Sequence, residues 1–460
     1  MKTFTKLGLF VIITVVFPAC LVSPSLAEFK LTPSIGVREE YNDNIFLAPT
    51  NKKDDFITSI SPSINLSYTA SIVALSLDVG PNFRFYAKNP DQDQTNVLDT
   101  QTAKLDTTLS PYKDIFFIKV FDQYQRVPVD VTKQVAPGNY LVNLTDSNSL
   151  LISPYVEYPL SGSTKVKVGY KYANTWFKSG DSSEDQDGFA GISADLASNI
   201  SAAINYDYLV HRLWGGQTFP LSDNYDQQTV SLPVVYKAGE KLSFNGSIGE
   251  TWFKYKNGSS ANNPSIIWNA GATYQLSSFI SLSGGYSESY LYPGQVAPIM
   301  GSPNVLSVTT ALSAPTPLSA GYNGAVDFGT CKAETAQGTI SYSGKIPFSV
   351  TVNKTTDTYI AVARKDQLSG ITLSSSTPIA PKLTGSVTGS YTYLKSNIGN
   401  ESVSNSQNEK ANRYSAGVSL AYEMRITTLT LGYTFNHNNS TIFTNEYTNN
   451  IVYVQAKFSI

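Results

Sequence analysis

The stretch Thr427–Asn436, TTLTLGYTFN, decides the fold class. Leu429, Leu431, Tyr433 and Phe435 fall on one parity, and Thr428, Thr430, Gly432, Thr434 and Asn436 on the other. A period of two is the mark of a β-strand whose two faces meet different surroundings. A soluble sheet would set the apolar side on a core and the polar side in bulk water. A membrane barrel would set the apolar side in lipid and the polar side in a lumen.

The pattern recurs along the chain. Leu383 to Tyr393 alternates Leu, Gly, Val, Gly, Tyr and Tyr with Thr384, Ser386, Thr388, Ser390 and Thr392. Val73, Leu75, Leu77, Val79, Phe83 and Phe85 oppose Ser76, Asp78, Asn82 and Arg84. Val166, Val168, Tyr170 and Tyr172 oppose Lys165, Lys167 and Lys171. The polar parity is dominated by Ser, Thr, Gly and Asn, residues suited to a watery wall.

Turn spacing separates the two settings. Short links such as YTAS (68–71), SPYK (110–113), LSGS (160–163), SGK (343–345) and EMR (423–425) alternate with long polar ones. The long ones fall near 43–54, 88–96, 127–146, 179–187, 213–225, 257–264, 292–336, 362–368, 396–411 and 437–448. Tight turns at one end and long loops at the other point to an outer-membrane barrel with its turns in the periplasm. The expectation is an all-β fold, a single transmembrane antiparallel up-and-down β-barrel of about 20 strands (about 16 to 22), with short periplasmic turns and long extracellular loops. The last strand, IVYVQAKFSI, ends on Ile460 with Phe458 two places before it, where barrel strands usually end on an aromatic residue.

Composition agrees. Charged residues are 15% of the 460, Tyr (29) and Phe (22) are abundant, and mean hydropathy is −0.13. The start reads as an export signal: Lys2 and Lys6, the apolar run Leu7 to Phe17, then Ser25-Leu26-Ala27 before Glu28. The domains expected are therefore a signal peptide, 1–27, and a barrel, 28–460. Phe17-Pro18-Ala19-Cys20 loosely resembles a lipid-attachment box but lacks the leucine three places before the cysteine. Cleavage after Ala27 leaves Cys331 alone, so no intramolecular disulfide is expected. Losing Lys2 and Lys6 and no acid takes the net charge from −2 to −4, no footprint for nucleic acid. No apolar run after residue 27 reaches helix-spanning length, which excludes a helical membrane protein.

Residues 31–68, LTPSIGVREEYNDNIFLAPTNKKDDFITSISPSINLSY, resemble the outer-membrane β-barrel porins of the "porin 2" type. These include proteins found beside exosortase/PEP-CTERM exopolysaccharide systems. The segment EEYNDNIF, the strand start DDFIT and the following SPSINLSY carry the resemblance, together with NRYSAGVSLAYEM, TTLTLGYTFNHNNS and NNIVYVQAKFSI near the end. The resemblance implies an outer-membrane location in a Gram-negative bacterium and a part in exporting or anchoring surface polysaccharide. It transfers no catalytic residue.

Chemistry is sparse. Neither histidine, His211 or His437, has a metal-like partner at short spacing, and no serine sits in a nucleophile motif. No enzyme activity, metal or cofactor is expected; an outer-membrane hydrolase built on His437 is the disfavoured alternative. Asp181, Glu184, Asp185 and Asp187 read as a solvated surface loop rather than a Ca²⁺ site, since the full D-x-D-x-D-G spacing and a closing glutamate are missing. Lys165, Lys167 and Lys171, with Asp78 and Arg84, are expected to face the lumen. The lysines form either an anion-favouring ladder or one side of ion pairs with neighbouring strands.

The apolar loop 292–336 is expected to fold inward and narrow the lumen, the alternatives being a packed cap outside or a further hairpin. Tyr391, Tyr393, Tyr433, Phe435, Trp176 and Trp252 should mark an aromatic girdle; inward Phe253 and Tyr255 leave carbohydrate stacking open. The role expected is passive solute passage or polysaccharide export. A non-conducting barrel that tethers polysaccharide through its loops is the alternative. Lipid, lipopolysaccharide, the barrel-assembly machinery and polysaccharide are the expected partners.

Overall fold

The computed structural model describes residues 28–112, 114–129, 133, 136–180, 182–214, 224–256, 264–291, 331–359, 364–398 and 408–460. The export signal and residues 292–330 of the long apolar loop lie outside them.

The strands are β1 (Glu28–Asn42), β2 (Asp55–Ala70), β3 (Val73–Pro81), β4 (Phe83–Tyr86), β5 (Gln101–Tyr112), β6 (Phe116–Pro128) and β7 (Leu144–Pro159). Next come β8 (Thr164–Phe177), β9 (Ser182–Ala197), β10 (Ile200–Trp214), β11 (Tyr225–Ala238), β12 (Leu242–Tyr255), β13 (Ser265–Gln275) and β14 (Ile280–Leu291). The last are β15 (Cys331–Tyr342), β16 (Phe348–Tyr359), β17 (Arg364–Ala380), β18 (Leu383–Ile398), β19 (Glu409–Glu423), β20 (Thr427–Ser440) and β21 (Tyr447–Ser459).

Apart from β4, the strands pair antiparallel in chain order, and β1 pairs with β21, so the sheet closes on itself. β3 and β4 both pair with β2 and form one interrupted stave, which makes a barrel of 20. The interruption follows Pro81, whose missing N–H cannot continue the ladder. Asn82 instead donates its N–H to the Thr100 carbonyl at 3.0 Å.

The parities divide as the sequence indicates. Leu429, Leu431 and Tyr433 stand on the outward face with Val418, Leu420, Val452 and Val454, all exposed. Their alternates, Thr428, Thr430 and Thr434, face the enclosed side beside Lys457, Gln455 and Ile451. The even stave number brings both strand ends, Ser34 and Ser459, together at the tight-turn end.

Two long links expected from the sequence are short. Residues 178–181 alone join β8 to β9, and 360–363 alone join β16 to β17. The acidic run is therefore no surface loop beyond Asp181, which lies outside the described residues. Glu184, Asp185 and Asp187 belong to β9, where alternation sends the two aspartates inward, the first to His211 and the second to Lys171.

The seam between β1 and β21 is reinforced by the EEYNDNIF segment. Asp43 takes the Asn450 backbone N–H and its side-chain amide, each at 2.7 Å, and returns its own N–H to the Asn450 carbonyl at 3.1 Å. The Asn449 amide donates to Asn42 Oδ1 at 2.6 Å and to the Asn44 carbonyl at 3.2 Å. Asn44 in turn donates to the carbonyls of Ala48 and Thr448. Asn42, Asn44 and Asn449 are fully buried, so each lost partner strands a polar group away from water, at about 1–3 kcal/mol. Asn449→Leu is expected to lower the temperature at which the folded band converts on unboiled gels. Tyr453→Phe, on the same strand, should leave it unchanged; equal shifts would show that the seam amides do not set barrel stability.

Candidate channel constriction

Inside the barrel the inward side chains fall into two zones. Toward the tight turns they meet water: Lys30, Ser76, Asp78, Lys104, Asn269, Thr372, Ser374, Ser376 and Thr388 are exposed. Toward the long-loop end they are enclosed: Glu40, Asp55, Arg84, Asp185, Asp187, His211, Asp366, Glu409, Asn436 and Asn449 are buried.

Part of that enclosure comes from the link between β6 and β7. Its base is tied by the Val129 N–H to the Asn143 carbonyl at 2.8 Å. Asn139 shapes the tip. Its Oδ1 accepts the N–H groups of Leu141 and Val142 at 3.1 and 2.9 Å, an Asx turn, while its amide donates to the Ile45 carbonyl at 2.8 Å. Gly138 has a φ of +82° and sits so close to inward Ile451 that a Cβ would meet its Cδ1 at 3.0 Å, so glycine is required there.

The segment crosses the lumen to the opposite side of the seam. Asn436 on β20 donates to the Pro137 carbonyl at 3.2 Å, and Arg413 on β19 donates to the Lys133 carbonyl at 2.9 Å. Two small apolar clusters then hold it against the wall. One joins Leu141 to Ile45, Ile57 and Tyr86; the other joins Ala136 and Val142 to Leu47 and Tyr447. Ile57, Tyr86 and Tyr447 are inward residues of β2, β4 and β21, so these clusters lie within the barrel. Of the apolar loop 292–336, residues 292–330 lie outside the described residues. Among the described residues, Lys133 and 136–143 form an inward stretch that the sequence did not indicate; its local cue is Pro137-Gly138-Asn139 followed by Leu141 and Val142 in a polar link.

Arg84 anchors this corner. Its guanidinium lies 3.2 Å from the centroid of the Tyr140 ring, a cation–π contact. The Tyr140 carbonyl also accepts from Gln94 and Arg126, each at 3.2 Å. Asp78, the other wall charge singled out, is exposed, bonded to the Asn65 amide at 2.5 Å and opposite Lys104 in register.

The three lysines of β8 share the face opposite exposed Val168 and Tyr170. Lys165 lies 3.2 Å from Glu157 and Lys171 lies 2.7 Å from buried Asp187. Lys167 rests over the Tyr155 ring at 4.2 Å. Two of the three lysines are thus paired across strands, and the third is shielded by an aromatic face.

His211 is enclosed at 1% exposure, with Nδ1 2.7 Å from Asp185 and its ring stacked on Tyr225 at 4.8 Å. Tyr225 packs on Phe253 and Tyr255, so these rings form one aromatic block. With Phe253 at 5% exposure, its face is spent on protein neighbours. His437 takes outward parity, bonded to Thr448 Oγ1 at 2.9 Å. No group of three metal-ligating side chains occurs among the described residues.

No protein-family model matches the chain, and no curated protein matches it. Solved structures do. The siderophore receptor PirA from Acinetobacter baumannii is similar with a TM-score of 0.53 and 10% identity, over 94% of this chain and 80% of that one. The FrpB iron transporter from Neisseria meningitidis reaches a TM-score of 0.49 at 8% identity, over 93% and 82%. OccAB4 from Acinetobacter baumannii is 13% identical over 95% of this chain and all of its own, with a TM-score of 0.39. The likeness to PirA shows a shared barrel fold.

The lysine pairs make a graded forecast. Lys171→Glu sets a second carboxylate against buried Asp187, whereas Lys165, at 57% side-chain exposure, loses only a solvated pair. Breaking the first should cost about 3–5 kcal/mol and the second about 1 kcal/mol or less. Urea midpoints of the refolded barrel would measure both; equal midpoints would rule out the ranking.

Proposed function

We propose that the chain is an outer-membrane barrel that passes solutes through a water-filled lumen narrowed at its long-loop end. The observation that carries this reading is the exposure of inward Asn269, Thr372, Ser374, Ser376 and Thr388 within a closed sheet. A barrel of 20 staves is too wide for Ser, Thr and Asn side chains to fill, so water occupies what they leave. The outward apolar face meets lipid in this reading, with lipopolysaccharide at the outer rim. Strands such as β17, at 17 residues, exceed the roughly 9–11 needed to cross, so their ends stand outside the bilayer. The narrowing comes from Lys133 and residues 136–143, and no catalytic step is assigned to any residue.

A second reading draws on the buried ring of Glu40, Asp185, His211, Asp366, Glu409 and Asn436. So much enclosed polarity at one end also suits a plugged barrel that tethers surface polysaccharide through its loops. Export of a polysaccharide is a finer form of the first reading and rests on the resemblance of the N-terminal segment.

Single-channel recording of residues 28–460 in planar bilayers separates the two. Steady openings are expected, and excising 134–142 with a short Gly-Ser join should raise their size about two-fold or more. Openings unchanged by the excision would deny the segment a constricting role; silence from a folded barrel would favour the plug.

A further inference from the structure

Charge is distributed unevenly around the lumen. On β1 to β10 the inward positions include Lys30, Arg38, Glu40, Asp78, Arg84, Lys104, Asp106, Lys119, Glu157, the three lysines of β8, and the aspartates 185, 187, 195 and 207. On β11 to β18 the inward positions among the described residues are Ser, Thr, Asn, Gln, Gly and apolar side chains. The exceptions stand at the two rims. Lys237 lies at the turn end, and Asp357, Arg364 and Asp366 lie at the long-loop end, where Arg364 and Asp366 pair at 2.8 Å.

Between those rims eight adjacent staves carry a neutral wall of hydroxyl and amide groups. Some hydroxyls bond across strands, Thr229 to Thr251 at 3.0 Å, Thr339 to Thr351 at 3.1 Å and Ser386 to Ser376 at 3.0 Å. Each hydroxyl offers one donor and two acceptor positions, so a single such contact leaves capacity unused. Thr372, Ser374, Ser376 and Thr388 are exposed, so that capacity is open to the lumen.

Resting on the channel reading above, we propose that this neutral arc is a track for uncharged polyhydroxylated solutes of hexose size. Such a solute exchanges water hydrogen bonds for Ser, Thr and Asn hydrogen bonds of the same kind, at little net cost. It meets no fixed charge to trap or repel it along that wall. The opposite arc carries ion pairs, buried charges and the exposed Lys30, Asp78 and Lys104, and the tucked residues 136–143 occupy its long-loop end. The solute therefore follows β11 to β18.

The test places one bulky adduct on each wall. In a Cys331→Ser background, Ser376→Cys on the neutral arc and Ser76→Cys on the charged arc are each exposed near the turn end. Each is modified with a bulky uncharged maleimide, and hexose influx is read by swelling of loaded proteoliposomes beside salt conductance in planar bilayers. The adduct at 376 should slow hexose influx several-fold and the adduct at 76 by less than half, while both reduce salt conductance alike. Equal slowing of hexose by the two adducts, with conductance present, would overturn the neutral track and leave the channel standing. Absence of both conductance and swelling in the unmodified protein would overturn the channel reading and the track with it.

Discussion

Every part of this structure depends on one constraint: the sheet has no free edge. Backbone N–H and C=O groups along an open edge would each cost several kcal/mol in hydrocarbon, and pairing β1 with β21 removes both edges at once. That pairing joins residues some 400 positions apart, so it is the contact with the largest loop-closure cost in the fold. The sequence concentrates buried amides there. Asn42, Asp43 and Asn44 meet Asn449 and Asn450 through side chains whose partners lie on the other end of the chain. A slip of one residue would turn each of them to the wrong face, so the same bonds that strengthen the seam also fix its register.

Closure leaves an inside, and the inside must be filled or hydrated. The inward side chains are short, and a barrel of this circumference cannot be packed by serine and threonine. The structure resolves this differently at its two ends. At the turn end, water reaches the wall. At the long-loop end the chain spends loop residues on the problem: Ile45, Leu47, Leu141 and Val142 form small apolar clusters within the lumen, and Asn139 satisfies the backbone that such a crossing exposes. Arg84 shows how a buried cation is tolerated there, by lying on the Tyr140 ring.

The alternation of TTLTLGYTFN and the tight turns sufficed to read the fold and the face of nearly every strand residue, because period and turn length are local properties. Features that depend on which strands meet at which height were not readable. Asp185 and Asp187 look like loop acids until β10 brings His211 alongside the first and β8 brings Lys171 alongside the second. The lysines of β8 look like a ladder until Glu157 and Asp187 are set opposite in register. The inward segment was harder still. Its anchors, Asn436 and Arg413, lie about 300 residues downstream, and no local pattern announces them.

One larger feature was readable in principle and follows from topology. In an up-and-down barrel, order along the chain is order around the wall, so any drift in composition along the sequence becomes a difference between sides of the lumen. The inward positions from Lys30 to Asp207 carry charges throughout, and those from Gln227 to Thr355 carry none among the described residues but Lys237 at the turn end. Among the described residues, the half that carries the charge also supplies segments tucked into the lumen, from 43–54 and 136–143. The two facts have a common physical basis. Segments folded across a lumen bring backbone carbonyls and N–H groups that need partners, and long cationic or amide side chains reach them where serine cannot. A wall that supports such a crossing needs Arg, Lys, Asp and Asn.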